Sequence, residues 1–449
     1  MKHLFSRLSP AQKIILSFLL VIFCGSLLLS LPWVQTASSQ AGYLDHLFTT
    51  VSMVCVTGLF TRSVVDTYNV WGQLLCMLLI QIGGLGILTF IGFFTMESRK
   101  KLSLKDRRIL RDSFSYGHNR TLGQFVRSIF ITTFSIEGLG ALLLMIRFIP
   151  KFGLRKGIFN SIFLAVSAFC NAGFDNFGND SLLGLQTDVL VNITLALLII
   201  TGGLGFMVWF DLATKLGGKQ KGLHFHTKVV LLLTAGLLVF GTVTSLWTEY
   251  NNPGTIGNLS FGDKLLVSFF QTVSMRTAGF SSIDYTAARP VTLFIYLLQM
   301  FLGGAPGGTA GGLKITTFLV LLLFARKEIL GLPHTNMGRR TLSPQLVQKA
   351  FGVTVIFQLT FLLGLLALGL VTDSSHRFIY LIFETVSALA TVGVTANITT
   401  SLNTAGMIVI MLLMFIGRVG PLTLMVSLNH YQPKNAATLH YSKADIMIG

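Results

Sequence analysis

Residues 381–394 read LIFETVSALATVGV, and three other stretches repeat their form: 46–59 (HLFTTVSMVCVTGL), 161–174 (SIFLAVSAFCNAGF) and 267–280 (VSFFQTVSMRTAGF). In each, a Phe stands ten residues before a Gly: Phe48 with Gly58, Phe163 with Gly173, Phe269 with Gly279, Phe383 with Gly393. An apolar run of about ten residues is too short to cross a bilayer as a helix, but it fits a re-entrant segment that enters and returns on one side. A Gly just past its end turns the chain back. The half-helix then aims the negative end of its dipole, followed by bare carbonyls, at one point. Four such ends can surround a cation.

Long apolar segments flank every frame. Residues 14–33, 125–148, 226–247 and 347–371 precede them, and 71–93, 189–211, an interrupted 291–324 and 405–427 follow. The unit of span, half-helix, Gly turn and span therefore occurs four times, and its glycines fall just over a hundred residues apart. The basic start followed by residues 14–33 could be taken for a cleaved signal peptide. The other three frames each follow an uncleaved apolar segment, so it reads as a span. The expected fold is all-α and integral to the membrane, with eight transmembrane helices in four pseudo-fourfold repeats around one ion pore. The units are 1–115, 116–222, 223–340 and 341–429, with a cytoplasmic tail at 430–449.

Composition agrees with this layout. The chain is 52% hydrophobic and 11% charged, with a mean hydropathy of +0.71, which argues against a soluble domain. A net charge of +17 would suit nucleic acid, but the basic residues cluster between the apolar runs, most densely from Arg99 to Arg127, where they set topology. No nucleic-acid partner is expected. Both termini and the inter-repeat loops should be cytoplasmic, with the Gly turns opening outward. Cys24, Cys55, Cys76 and Cys170 have no CxxC spacing, so neither a disulfide framework nor a zinc site is indicated.

The turns align as Val56-Thr57-Gly58, Asn171-Ala172-Gly173, Thr277-Ala278-Gly279 and Thr391-Val392-Gly393. A dehydrated cation must exchange water oxygens for protein oxygens at little net cost, and a ring of backbone carbonyls does this without fixed negative charge. Gly permits the backbone angles that turn those carbonyls inward. The bland alternative is that these glycines serve helix packing; four in register with a Phe favour a filter. The last turn also resembles the start of the potassium-channel signature TVGYG.

On these four repeats with one Gly per loop, the chain resembles the Trk/Ktr/HKT superfamily of potassium transporters over essentially its full length. It is most similar to the KtrB-type membrane subunit, because its first span starts close to the N-terminus. The resemblance implies a bacterial cell-membrane protein with potassium permeation carried by Gly58, Gly173, Gly279 and Gly393. It further implies a homodimer on a cytosolic ring of KtrA-type nucleotide-binding subunits, with nucleotide only on that partner, Na+ as a candidate activator and membrane lipid around it. Sodium-preferring plant relatives often carry Ser at the first-loop Gly, and Gly58 is intact. Each loop keeps only part of the longer channel signature, which leaves selectivity over sodium open.

The third repeat departs from the others. After about 13 residues, roughly 20 Å of helix, its second span reaches Gly303-Gly304-Ala305-Pro306-Gly307-Gly308-Thr309-Ala310-Gly311-Gly312. Backbone left unpaired at that depth is tolerable only against a watery cavity or protein. Residues 303–312 are expected to form a loop across the pore below the filter, acting as a gate through Gly303, Gly304, Gly307, Gly308, Gly311 and Gly312. The resemblance assigns an intramembrane gating loop to the same stretch. Arg418, within FIGRVGP of the last span, is expected to hold loop carbonyls and oppose cations. Arg276 is expected to brace the third turn through carbonyls, Glu384 to bond behind the filter, and Glu137 to serve an interhelical contact. Asp175, Asp180, Asp188 and Asp284 should face the outer mouth. Lys314 is ambiguous in depth. His224-Phe225-His226 reads as a loop feature.

The function expected is gated, channel-like potassium uptake. The competing readings are a sodium- or proton-coupled symporter, which would need the scarce intramembrane carboxylates, and a sodium-permeable conductor of the same fold. No enzyme site is legible.

Overall fold

The computed structural model describes residues 10–86, 122–178, 181–218, 220, 222–338, 340–372 and 377–420. The basic run Arg99–Arg120, Asp180, the ends of the apolar segments 71–93 and 405–427, and the tail 430–449 lie outside the described residues.

Fourteen helices of more than one turn are described. They are α1 Pro10–Leu29, α2 Tyr43–Val54, α3 Val70–Leu85, α4 Leu122–Phe152, α5 Leu154–Phe169, α6 Val189–Gly203, α7 Phe206–Leu216, α8 Phe225–Glu249, α9 Phe261–Ser274, α10 Pro290–Phe301, α11 Ile315–Ile329, α12 Pro344–Val371, α13 Phe378–Leu389 and α14 Thr404–Val419. Two-residue strands β1 Asn336–Met337 and β2 Arg340–Thr341 pair antiparallel between α11 and α12. Among the described residues, α1, α4, α8 and α12 are long and apolar enough to cross a membrane, and α6 with α7 would make a fifth span if the bent pair is counted as one. α3, α10, α13 and α14 are shorter apolar helices.

The surface is that of a chain solvated by lipid. Leu20, Phe23, Leu139, Leu363 and Leu370 are exposed on the long helices, whereas Thr50, Ser52, Ser167, Ser274, Glu384 and Ser387 are buried. Trp33, Trp71 and Trp247, all exposed, follow α1, open α3 and close α8. Such a belt suits the headgroup level of one face.

In lipid no hydrophobic gain pulls helices together, so close approach must carry the packing. Gly83 on α3, Gly202 on α6 and Gly417 on α14 supply it: a Cβ on each would lie 2.3, 1.9 and 1.9 Å from the carbonyl oxygens of Val54, Phe169 and Leu389 respectively. These carbonyls belong to the final residues of α2, α5 and α13. These three short helices are thus each seated on the following helix by one bare glycine.

Two expectations change. Residues 189–211 do not form one straight helix: α6 and α7 meet at 98°, because Gly205 takes φ +90° and Leu204 ends the ladder. The interruption expected of the third repeat alone is therefore shared. α3 and α14 likewise stop at Gly86 (φ +82°) and Gly420 (φ +92°). The second change concerns the third frame, where Phe270 is fully buried and Phe269 only partly. The turn from Ser274 to Gly279 is one residue shorter than that from Ser52 to Gly58, which moves the equivalent Phe by one position.

Gly202→Ala should destabilise the detergent-solubilised protein by about 2 kcal/mol or more through overpacking, lowering its thermal midpoint by several degrees. Gly236→Ala, with nothing within 4 Å of the added methyl, should leave the midpoint unchanged or raise it slightly.

Candidate functional site

α2, α5, α9 and α13 end just before the four glycines, with Cys55, Cys170, Met275 and Ala390 as their C-cap residues. Their sequences permit short helices only, since each runs into a segment whose backbone leaves the right-handed region. Gly58, Gly173, Gly279 and Gly393 have φ of +105°, +70°, +82° and +95°. Two residues earlier, Val56, Asn171, Thr277 and Thr391 have φ of +55°, +58°, +62° and +52°. Left-handed backbone at a non-Gly residue costs about 1–2 kcal/mol, and here it recurs at four equivalent positions. The bonds that hold the turns also recur. Thr57 N–H donates to Ser52 O, Ala172 N–H to Ser167 O and Val392 N–H to Ser387 O, each at 2.8 Å; in the shorter third turn Ala278 N–H donates to Ser274 O at 2.9 Å. The Gly58 and Gly393 amides donate to the Ser52 and Ser387 hydroxyls at 3.1 and 3.0 Å.

The four turns meet in a closed ring. A Cβ on Gly58 would lie 2.8 Å from Ala172 O, on Gly173 2.7 Å from Ala278 O, on Gly279 2.7 Å from Val392 O and on Gly393 1.9 Å from Thr57 O. The carbonyl before each glycine thus faces the glycine of a neighbouring loop, and a side chain at any of the four would strike it. All twelve residues singled out in the turns are brought together here. On the side of Gly58 and Gly393, a cavity of about 460 Å3 opens, lined among others by Ser63, Asp66, Thr67 and Thr395.

The loop between α10 and α11 lies against the other side of these turns. Gly311 N–H donates to Thr277 Oγ1 at 3.2 Å, and Thr309 Oγ1 is 3.0 Å from the Asn171 side chain. A Cβ on Gly311 would overlap Thr391 Oγ1. Gly303 N–H donates to Leu313 O, Ala305 N–H to Gly203 O and Phe206 N–H to Gly307 O. The Arg418 guanidinium donates to Thr309 O, Gly83 O and Gly84 O, tying the loop to α3. Lys314 Nζ donates to Ala310 O at 2.7 Å, with Gly311 O at 3.5 Å. Two cationic side chains therefore hold three consecutive loop carbonyls, and Lys314 serves the loop itself.

Other residues fall differently. Arg276, expected to brace carbonyls, instead reaches Thr234 Oγ1 on α8 at 3.5 Å and leaves its Nε without a partner, because the shortened third turn directs this side chain toward α8. Glu384 accepts from the Thr395 hydroxyl at 2.6 Å and from Thr399, fastening the segment after the fourth turn to α13. Glu137 accepts from Gln81 Nε2 at 3.3 Å, with Cys170 Sγ at 3.9 Å, linking α4 to α3 and the second turn. Asp188 caps α6 and pairs with Arg147 at 2.5 Å, and Asp284 closes a local turn onto Thr286.

A second repeated motif went unread in the sequence: Gly83-Gly84-Leu85-Gly86, Gly202-Gly203-Leu204-Gly205, Gly303-Gly304-Ala305-Pro306 and Gly417-Arg418-Val419-Gly420. Its spacing would have located where α3, α6, α10 and α14 end, and shows that Arg418 stands where the other three stretches have glycine.

Asp175, expected at the outer mouth, is buried. Burial pushes its carboxyl up to about 6, against the lowering effect of hydrogen bonds from Phe177 N–H and the Ser181 hydroxyl. An acid with a raised folded-state pKa binds more protons folded than unfolded between its two values, so stability falls as pH rises from about 4 to about 6. Asp175→Asn should remove this fall, a difference on the order of 3 kcal/mol, in unfolding curves recorded between pH 4 and 7.

A family model described as TrkH, cation transport protein, matches residues 7–438. The chain is 38% identical to the Ktr system potassium uptake protein B of Bacillus subtilis (strain 168), over 99% of this chain and 97% of that relative. It is also 38% identical to the potassium/sodium uptake protein NtpJ of Enterococcus hirae, over 100% of this chain and 99% of that relative. The crystal structure of the potassium transporter TrkH from Vibrio parahaemolyticus matches with a TM-score of 0.73 at 17% identity, covering 93% of this chain and 84% of that one; this likeness concerns the fold alone.

Proposed function

Because this chain belongs to the TrkH family of cation transport proteins and is a helical, multi-pass membrane protein, we propose that it is the ion-conducting membrane subunit of a potassium uptake system. K+ passes down its electrochemical gradient through a filter of Val56-Thr57-Gly58, Asn171-Ala172-Gly173, Thr277-Ala278-Gly279 and Thr391-Val392-Gly393. The carrying observation is the ring in which the carbonyl before each glycine faces the next loop's glycine. Such oxygens can replace a hydration shell, and the four short helices add the negative ends of their dipoles. In this reading α1, α3, α4, α6 with α7, α8, α10 with α11, α12 and α14 make eight crossings in four repeats.

The loop 303–312 is the gate, with Arg418 as its latch. Its contacts with Thr277, Asn171 and Thr391 support a position beneath the filter. A guanidinium beside that path also opposes a cation at close range. The names of relatives describe a Ktr system, which supports a soluble partner. We assign that partner to a nucleotide-binding ring beneath a homodimer, with the basic loops facing the cytoplasm. NtpJ's name pairs potassium with sodium and favours, as a second reading, a conductor that admits both ions. Glu137 and Glu384 bond to groups that support the turns, a structural use that weighs against ion coupling.

Liposomes loaded with a K+ gradient test the proposal. Flux should follow the electrochemical gradient and persist with a proton uncoupler present; flux that demands a proton or Na+ gradient would reject it for a symporter. Gly58→Ser, which puts a side chain against Ala172 O, should raise Na+ permeability relative to K+ by about an order of magnitude. Shortening 307–312 should raise flux severalfold while preserving ion preference, and unchanged flux would remove the gate assignment.

A further inference from the structure

Between the last turns of α11, the β1–β2 hairpin and the first turns of α12 lies a cavity of about 580 Å3, separate from the filter and the loop 303–312. Phe324, Val347 and Phe351 give it an apolar floor, and Lys327, His334 and Thr341 a polar wall. Its depth follows from helix length. The 28 residues of α12 extend about 42 Å at 1.5 Å per residue, whereas the hydrocarbon core is about 30 Å thick. About two turns must stand outside, and the charges say which end.

From Phe324 to Gly352 the sequence carries Arg326, Lys327, Arg339, Arg340 and Lys349 against the single acid Glu328, the signature of a cytoplasmic end. The cavity therefore sits at the level of the inner headgroups. Around it Ile329, Leu330, Leu346 and Phe351 are exposed, continuing the lipid-facing surface to its edge. Lys327 is anchored beside it by Glu328 at 2.7 Å and lies 5.7 Å from the centre of the Phe324 ring. Arg340 stacks 4.6 Å over Phe225 and holds the hairpin to α8.

We propose that this cavity binds an anionic phospholipid of the cytoplasmic leaflet, with an acyl chain on Phe324, Val347 and Phe351 and the phosphate facing Lys327 and His334. Lys327 and His334 over an apolar floor, in a segment with five Lys/Arg against one acid, match an anionic headgroup on a hydrocarbon chain, whereas a zwitterionic lipid would leave the segment's charge beyond the Lys327–Glu328 pair unanswered. The proposal rests on the membrane orientation given above but not on the filter.

The test titrates the purified full-length protein, in uncharged detergent, with phosphatidylglycerol or phosphatidylcholine and reads bound lipid by native mass spectrometry. Phosphatidylglycerol should bind about tenfold more tightly than phosphatidylcholine. The surface double variant Lys327→Ala/His334→Ala should lose about that factor, Val347→Trp should block the cavity, and Lys156→Ala, on α5, should match the wild type. Equal affinity for the two lipids, or wild-type phosphatidylglycerol binding by the double variant, would overturn the proposal. So would a double variant that keeps its lipid but loses a soluble protein partner. Because binding is read without ion flux, a wild type that binds phosphatidylglycerol yet conducts no ions counts against the transport reading alone.

Discussion

Four backbone carbonyls, each facing the glycine of a neighbouring loop, are the constraint from which the rest of the molecule follows. Bringing oxygens of like partial charge to one place is unfavourable, and at Val56, Asn171, Thr277 and Thr391 it also demands left-handed backbone without glycine. Such strain persists only where the surroundings over-determine it. Here they do: serine hydroxyls take the Gly58 and Gly393 amides, the turn amides bond back into α2, α5, α9 and α13, and Phe48, Phe163, Phe270 and Phe383 are fully buried behind them.

The same demand explains where α3, α6 and α14 end. A helix passing beneath the ring must come close to the end of a short helix, and Gly83, Gly202 and Gly417 allow contact with its last carbonyl. Three residues later Gly86, Gly205 and Gly420 take positive φ and end the run. In the third repeat the break widens into the loop 303–312, and the repeat symmetry is broken again by Arg418, which replaces a glycine. Free backbone carbonyls at this depth need donors. Arg418 and Lys314 supply them, so the least helical segment is also the one tied down by two cations.

Much of this was legible because repetition amplifies weak signals. One Gly after a short apolar run means little; four in register locate the turns, and the glycine run at 303–312 marks a helix that cannot continue. Less was legible where the repeats differ by a single residue. The third turn's missing residue sent the Phe alignment to Phe269 rather than Phe270 and sent Arg276 toward Thr234 rather than to carbonyls. The bend at Gly205 was hidden because residues 189–210 carry no charged side chain, and hydropathy is insensitive to φ. Asp175 read as facing the outer mouth because nothing local in the sequence reports that its side chain is buried.

By itself, the sequence determined the membrane setting, the fourfold repetition, the glycines that turn the chain and the segment that interrupts a helix. Those properties reside in composition and local spacing. Only the tertiary structure decided that each carbonyl meets a different repeat's glycine, that Arg418 joins Thr309 to Gly83 and Gly84, and that a basic-rimmed cavity forms between α11 and α12. The ring and the Arg418 contacts join residues far apart in the chain, and the cavity depends on how two consecutive helices and their hairpin fold back on one another. Their partners are chosen by how the helices and turns pack against one another, a geometry that no local stretch encodes.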